Sequence, residues 1–111
     1  MNKILASVIS LFFITELTAS AAVYKGQRVY VKECRACHGG GQAMAASKRG
    51  REWKKMFNND GEELARVHTE SQKAQDSWEY FKGDQFGSKA KHLKDFLMEY
   101  SKDSGKVPAC N

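Results

Sequence analysis

The sequence predicts a small all-α domain. Three observations carry that expectation. Apolar residues recur at helical offsets through most of the chain, as in Trp53, Met56 and Phe57, and in Leu64, Val67 and His68. No stretch alternates apolar and polar residues in the manner of a half-buried strand. The single proline, Pro108, stands near the C-terminus, so nothing in the body of the chain forbids helix.

The elements follow in order. Residues 1–21 read as an export signal: Lys3 is a positive n-region, Ile4 to Ile14 is an apolar run too short to span a bilayer, and Ala19-Ser20-Ala21 fits a small-x-small cleavage site. The remaining residues, 22–111, then form one domain, with a short C-terminal tail from about 104 to 111. A domain of this size is marginal on a side-chain core alone, and a bound cofactor is a common remedy. Tyr24, Tyr30, Val31 and Cys34 suggest a first helix that ends near His38, stopped by Gly39-Gly40-Gly41. A loop is expected from there to Gly50, followed by the short face of Trp53, Met56 and Phe57. Asn58-Asn59-Asp60-Gly61 is a strong turn, and Asp60 or Gly61 is placed to cap the helix that carries Leu64, Val67 and His68. Asp76-Ser77-Trp78-Glu79 resembles another capped start, with Glu79 placed for a capping box. Ser88 is placed to cap a last helix with the stripe Leu93, Phe96, Leu97 and Tyr100, ended by Ser104-Gly105.

Cys34-Arg35-Ala36-Cys37-His38 is the motif that carries chemistry. Two thiols about one helical turn apart reach the two vinyl groups on one edge of a porphyrin, and the adjacent imidazole binds its iron from below. The expected cofactor is therefore one covalently attached haem c, held by Cys34 and Cys37 with His38 as proximal ligand. A structural zinc site is disfavoured because the chain has three cysteines in all and its other histidines, His68 and His92, lie far apart. A thioredoxin-like pair belongs with a βαβ pattern, and none is visible. Haem of this type is attached outside the cytoplasm in bacteria, which agrees with the export signal and points to the periplasm.

With that motif in place, the chain resembles the class I family of monohaem c-type cytochromes. Gly26 and Tyr30 stand where that family has the glycine and aromatic of its first helix, and Leu97 and Tyr100 where it has the aliphatic and aromatic pair of its last. The resemblance implies that these two helices cross closely and wrap one haem. It also implies a methionine before the last helix as sixth iron ligand, and here the corresponding segment, Lys82-Gly83-Asp84-Gln85-Phe86-Gly87, has none. His68 is the first substitute, since the family's corresponding helix lines the distal side of the haem. Met44 is the second, although it follows the motif closely enough to favour the His38 side. Met56 reads as core, and His92 and Met98 flank the last stripe. Trp78 is a candidate for a hydrogen bond to a haem propionate, with Trp53 the competitor and simple core filling the alternative for both.

Charge and the odd cysteine bear on partners. Eighteen Lys and Arg against thirteen Asp and Glu give a formal charge of +5, which removal of Lys3 and Glu16 with the signal leaves unchanged. Lys48, Arg49, Arg51, Lys54 and Lys55 form one basic cluster, and Lys82, Lys89, Lys91 and Lys94 another. Such surfaces steer encounter with acidic redox proteins, and secondarily favour peripheral contact with anionic membranes; an exported chain has no use for nucleic acid. Cys110 is left over, so the expected monomer has a Cys110-linked dimer as its alternative. The expected function is carriage of single electrons between periplasmic redox proteins, without enzymatic activity of its own. Two alternatives are a gas- or peroxide-binding haem protein with an open sixth site and a haem-thiol subunit of a sulfur-oxidising enzyme.

Overall fold

A computed structural model describes residues 21–106, so the proposed signal segment up to Ser20 and the tail from residue 107, including Cys110, lie outside the described residues. Those described are helical with no strand among them. Helix α1 covers 21–33. It is followed by α2 (Arg35–His38), α3 (Gly41–Ala45), α4 (Gly50–Met56), α5 (Asn58–Thr69), a 3₁₀ segment (Gln72–Ser77), α6 (Trp78–Lys82) and α7 (Asp84–Glu99).

The first and last helices cross as expected, and Gly26 explains how closely. A Cβ built on Gly26 would stand 1.9 Å from the carbonyl oxygen of His92 and 2.7 Å from Cβ of Phe96. Only a residue without a side chain lets the two backbones approach to that distance. Tyr30 fills the space one turn further on, its ring centroid 5.8 Å from that of Phe96, which is completely buried. Helix α7 also packs against α3, α4, α5 and α6. Its buried residues Phe86, Ala90, Leu93, Phe96 and Leu97 form the spine of the core.

Several element boundaries differ from expectation, each for a local reason. The predicted loop after Gly39 contains α3, whose Ala45 is fully buried against the core. Helix α7 begins at Asp84, four residues before Ser88; Gly83 takes the extended N-cap conformation and Asp84 places its carboxylate at the positive helix end. The Ser88 hydroxyl instead donates to the Gln85 carbonyl within the helix. The helix stops at Glu99, short of Ser104-Gly105, and the buried Ser101 folds its hydroxyl onto the Met98 carbonyl. Ser77 makes no cap bond and donates to the Ala74 carbonyl.

The Asn58 to Gly61 turn forms as expected. Asn59, Asp60 and Gly61 all adopt left-handed angles, so the regular helix of α5 begins after them. No side chain caps that helix. Gly61 is required for space as well as angle, since a Cβ there would meet the Phe86 ring at 2.6 Å.

Candidate functional site

Behind the helix crossing lies a cavity of about 570 Å³, lined mainly by apolar side chains with a small number of convergent polar groups. That volume is in the range of small-molecule and cofactor sites. Helix α2 contributes Cys37 and His38, with Cys34 at its N-cap; Met44 comes from α3, Trp53 and Met56 from α4, Leu64 and His68 from α5, Phe81 from α6, and Leu93 and Leu97 from α7.

The Cys-x-x-Cys-His segment is held by its own short helix. The chain turns at Cys34, whose N–H donates to the Tyr30 carbonyl at 2.8 Å, and His38 N–H then donates to the Cys34 carbonyl at 3.0 Å. Gly39 ends the helix at φ 77°, and the Tyr30 hydroxyl donates to the Gly39 carbonyl at 2.8 Å. Tyr30 therefore fills the helix crossing with its ring and fastens the end of the motif with its hydroxyl. Burial pushes its phenol up to about 12, so it remains a donor throughout the physiological range.

The two cysteines are not joined to each other. Burial, aided by Glu33 and Cys37, pushes the Cys34 thiol up to about 12. A redox Cys-x-x-Cys pair needs the opposite shift, toward the thiolate, so the site disfavours thioredoxin-like chemistry. The His38 imidazole is held below its usual range by burial and by His68, which favours the neutral form that binds metals.

His68 meets His38 across the cavity, with ring centroids 5.9 Å apart and planes at 76°. One ion bonded at about 2 Å to a nitrogen of each ring spans a distance of that order. His68 Nδ1 lies 2.7 Å from the Leu64 carbonyl. A carbonyl only accepts, so Nδ1 carries the proton and Nε2 keeps its lone pair, the arrangement usual for a metal-binding imidazole. The face of the ring stacks on Phe81 at 4.3 Å.

The other predicted site residues divide. Met44 and Met56 both line the cavity and are half-buried; Met56 is thus not simply core. His92 and Met98 do not line it. His92 borders a second, larger groove of about 800 Å³ beside α1, faced by Lys25, Arg28, Lys32 and Lys89. The loop that bears the sixth ligand in the class I family is reduced here to Gly83 between α6 and α7.

Trp78 requires a correction. It does not line the cavity, and its indole N–H donates to the carbonyls of His68 at 2.7 Å and Ser71 at 3.1 Å. That donor is not offered to a propionate. The competing Trp53 does line the cavity, but its N–H is spent on the Ala45 carbonyl at 2.8 Å. The cations on the cavity lining are Lys48 and Lys73, which sequence patterning did not single out for this role.

The residues present suit a haem. A thiol pair and an imidazole stand on one helical segment, a second imidazole with a free lone pair stands opposite, and the walls between them are apolar. Among the described residues, no cluster of three or more His, Cys, Asp or Glu forms a separate metal site, and no helix is long and apolar enough to cross a membrane.

Comparison with known proteins agrees with this geometry. Residues 21–96 match the family described as Cytochrome C oxidase, cbb3-type, subunit III. No curated protein and no solved structure matches the chain. The match extends from α1 through most of α7 and includes both axial histidine candidates, and by it the chain belongs to that family, a monohaem c-type cytochrome with an all-α cytochrome c-like fold.

Proposed function

We propose that the protein is a periplasmic carrier of single electrons, with one haem tethered through Cys34 and Cys37 and ligated by His38 and His68. The observation that carries this reading is the pair of imidazoles 5.9 Å apart across one cavity, with the His68 Nδ1 proton fixed on the Leu64 carbonyl. The haem supplies a one-electron ferric–ferrous couple there. Cys34, Cys37, His38 and His68 would hold the cofactor, and Leu64, Phe81, Leu93 and Leu97 would exclude water around it. Lys48 and Lys73 on the lining would supply positive charge for its propionates.

Replacement of the family's methionine by an imidazole lowers the potential, because methionine favours the ferrous state more than histidine does. A doubly ligated iron also needs no substrate pocket, nucleophile or base, in keeping with a carrier. The basic groove faced by Lys25, Arg28, Lys32 and Lys89 supports an acidic redox protein as partner, met at a rate that falls with salt.

Absorption spectra of the ferric and ferrous holoprotein, with and without carbon monoxide, test the proposal. Low-spin spectra that the gas shifts only slowly, converted to high-spin and rapidly gas-sensitive by His68→Ala, are expected. A high-spin native protein would instead place the chain among ligand-binding haem proteins.

A further inference from the structure

We infer that Trp78 and Phe81 are positioning residues for His68, so that α6 acts as a clip holding the sixth iron ligand in place. The inference rests on the assignment of His68 as that ligand. Helix α5 ends at Thr69, and its penultimate residue is His68. Two N–H groups converge on the His68 carbonyl: Ser71 N–H at 3.1 Å and the Trp78 indole at 2.7 Å. The same indole reaches the Ser71 carbonyl at 3.1 Å and so bridges both ends of the turn that leaves α5.

Phe81 stands three residues after Trp78, on the same face of α6. Its ring lies against the His68 imidazole at 4.3 Å and 25°, and is itself backed by Phe86 at 4.8 Å and Tyr80 at 5.1 Å. Helix α6 thus grips His68 twice, at its carbonyl through Trp78 and at its ring through Phe81. The bond from Nδ1 to the Leu64 carbonyl removes the remaining rotation. Exchange of His68 for an external ligand requires the imidazole to swing off the iron, and each of these contacts opposes that motion. An indole serving only as core filler would leave it unaffected.

The test is the rate at which the ferrous holoprotein binds carbon monoxide, read with the melting temperature. Trp78→Phe keeps the aromatic bulk and loses the donor; it is expected to speed binding by about tenfold, the effect of one buried hydrogen bond. Phe81→Leu is expected to act in the same direction and serves if Trp78→Phe does not fold. Ser101→Ala, which removes a buried hydroxyl at the far end of α7, lowers the melting temperature and leaves the rate within about twofold. If Trp78→Phe and Phe81→Leu lower the melting temperature but bind the gas at the native rate, the clip is wrong while His68 stands as ligand. If His68→Ala itself keeps a low-spin, gas-insensitive iron, the ligand assignment fails first and the clip with it.

Discussion

The crossing of α1 with α7 and the cavity wall formed by α2 to α6 draw on the same kinds of residue but reach stability differently. At the crossing, Gly26 brings two backbones together, and Tyr30 and Phe96 close the space and are themselves buried. In the wall, no helix exceeds the 12 residues of α5, whose first turn is broken by left-handed angles. Helices this short are marginal alone and depend on packing. Yet Met44, Met56 and Phe81 direct part of their packing surface at a cavity. The crossing is completed by its own side chains; the wall is completed by what the cavity holds.

The strongest way to break this contrast is to remove the cofactor. A Cys34→Ser, Cys37→Ser variant should lose more than about 4 kcal/mol, the linkage expected of a ligand at a thousandfold its dissociation constant. Amide exchange should show the loss concentrated in α3 to α6. An apoprotein that kept native protection in α4 and α5 would mean that the wall is self-sufficient.

Next in size is Phe96→Ala, expected to cost about 3–5 kcal/mol in denaturant titrations of the holoprotein, because the residue is fully buried at the centre of the crossing. A cost below about 1 kcal/mol would contradict the density attributed to this region.

Glycines sharpen the comparison further. Gly26→Ala pushes a methyl into the His92 backbone and should cost about 1–3 kcal/mol or more. Gly87→Ala, in the same α7 but with nothing near its Cβ position, should be neutral or stabilise by about 0.5–1 kcal/mol through helix propensity. Equal effects in thermal melts would show that helix preference, and not close approach, governs Gly26.

The smallest effect is at the seam between the two regions. The Asp103 carboxylate, beyond the end of α7, accepts from the Gly50 N–H that opens α4 at 2.8 Å, and that bond holds it below the usual carboxylate range. A depressed folded-state value means that the contribution is present above the unfolded value near ~3.9 and is lost as pH falls through the folded one. Asp103→Asn should therefore melt slightly lower than the native protein at pH 7, and the gap should close in acid. A gap that persisted at the lowest pH would remove the carboxylate from the seam.

How much was legible in advance follows the same division. The helix crossing was implied by the match of Gly26, Tyr30, Leu97 and Tyr100 to the class I cytochromes, where a close approach demands a small residue with aromatics around it. The attachment motif was legible from its spacing, and the Asn58 to Gly61 turn from its residue types. Helix α3 was not, since it opens on the run Gly39-Gly40-Gly41 and its buried residues, Gly41 and Ala45, give no apolar periodicity. Ser88 and Ser77 had the right chemistry for caps, but a cap also needs backbone outside the helix: Gly83 supplied it ahead of Ser88, and Ser77 itself keeps helical angles at the end of the 3₁₀ segment.

For the site, His68 stood out as a polar residue on an apolar face, while the candidate acceptor for Trp78 was the wrong one. An indole N–H must find a partner when buried, and its identity depends on which carbonyls are brought near it; here the end of α5 supplied them. By itself the sequence determined what is encoded over short separations: helical character, the turn at Asn59 to Gly61, and thiols and imidazole on one helical turn. Only the tertiary structure decided that His68 faces His38, that Met44 and Met56 share their cavity, and that α6 closes on His68. Those relations join residues far apart in the chain, and the geometry between them is set by packing, which no local pattern of residue types records.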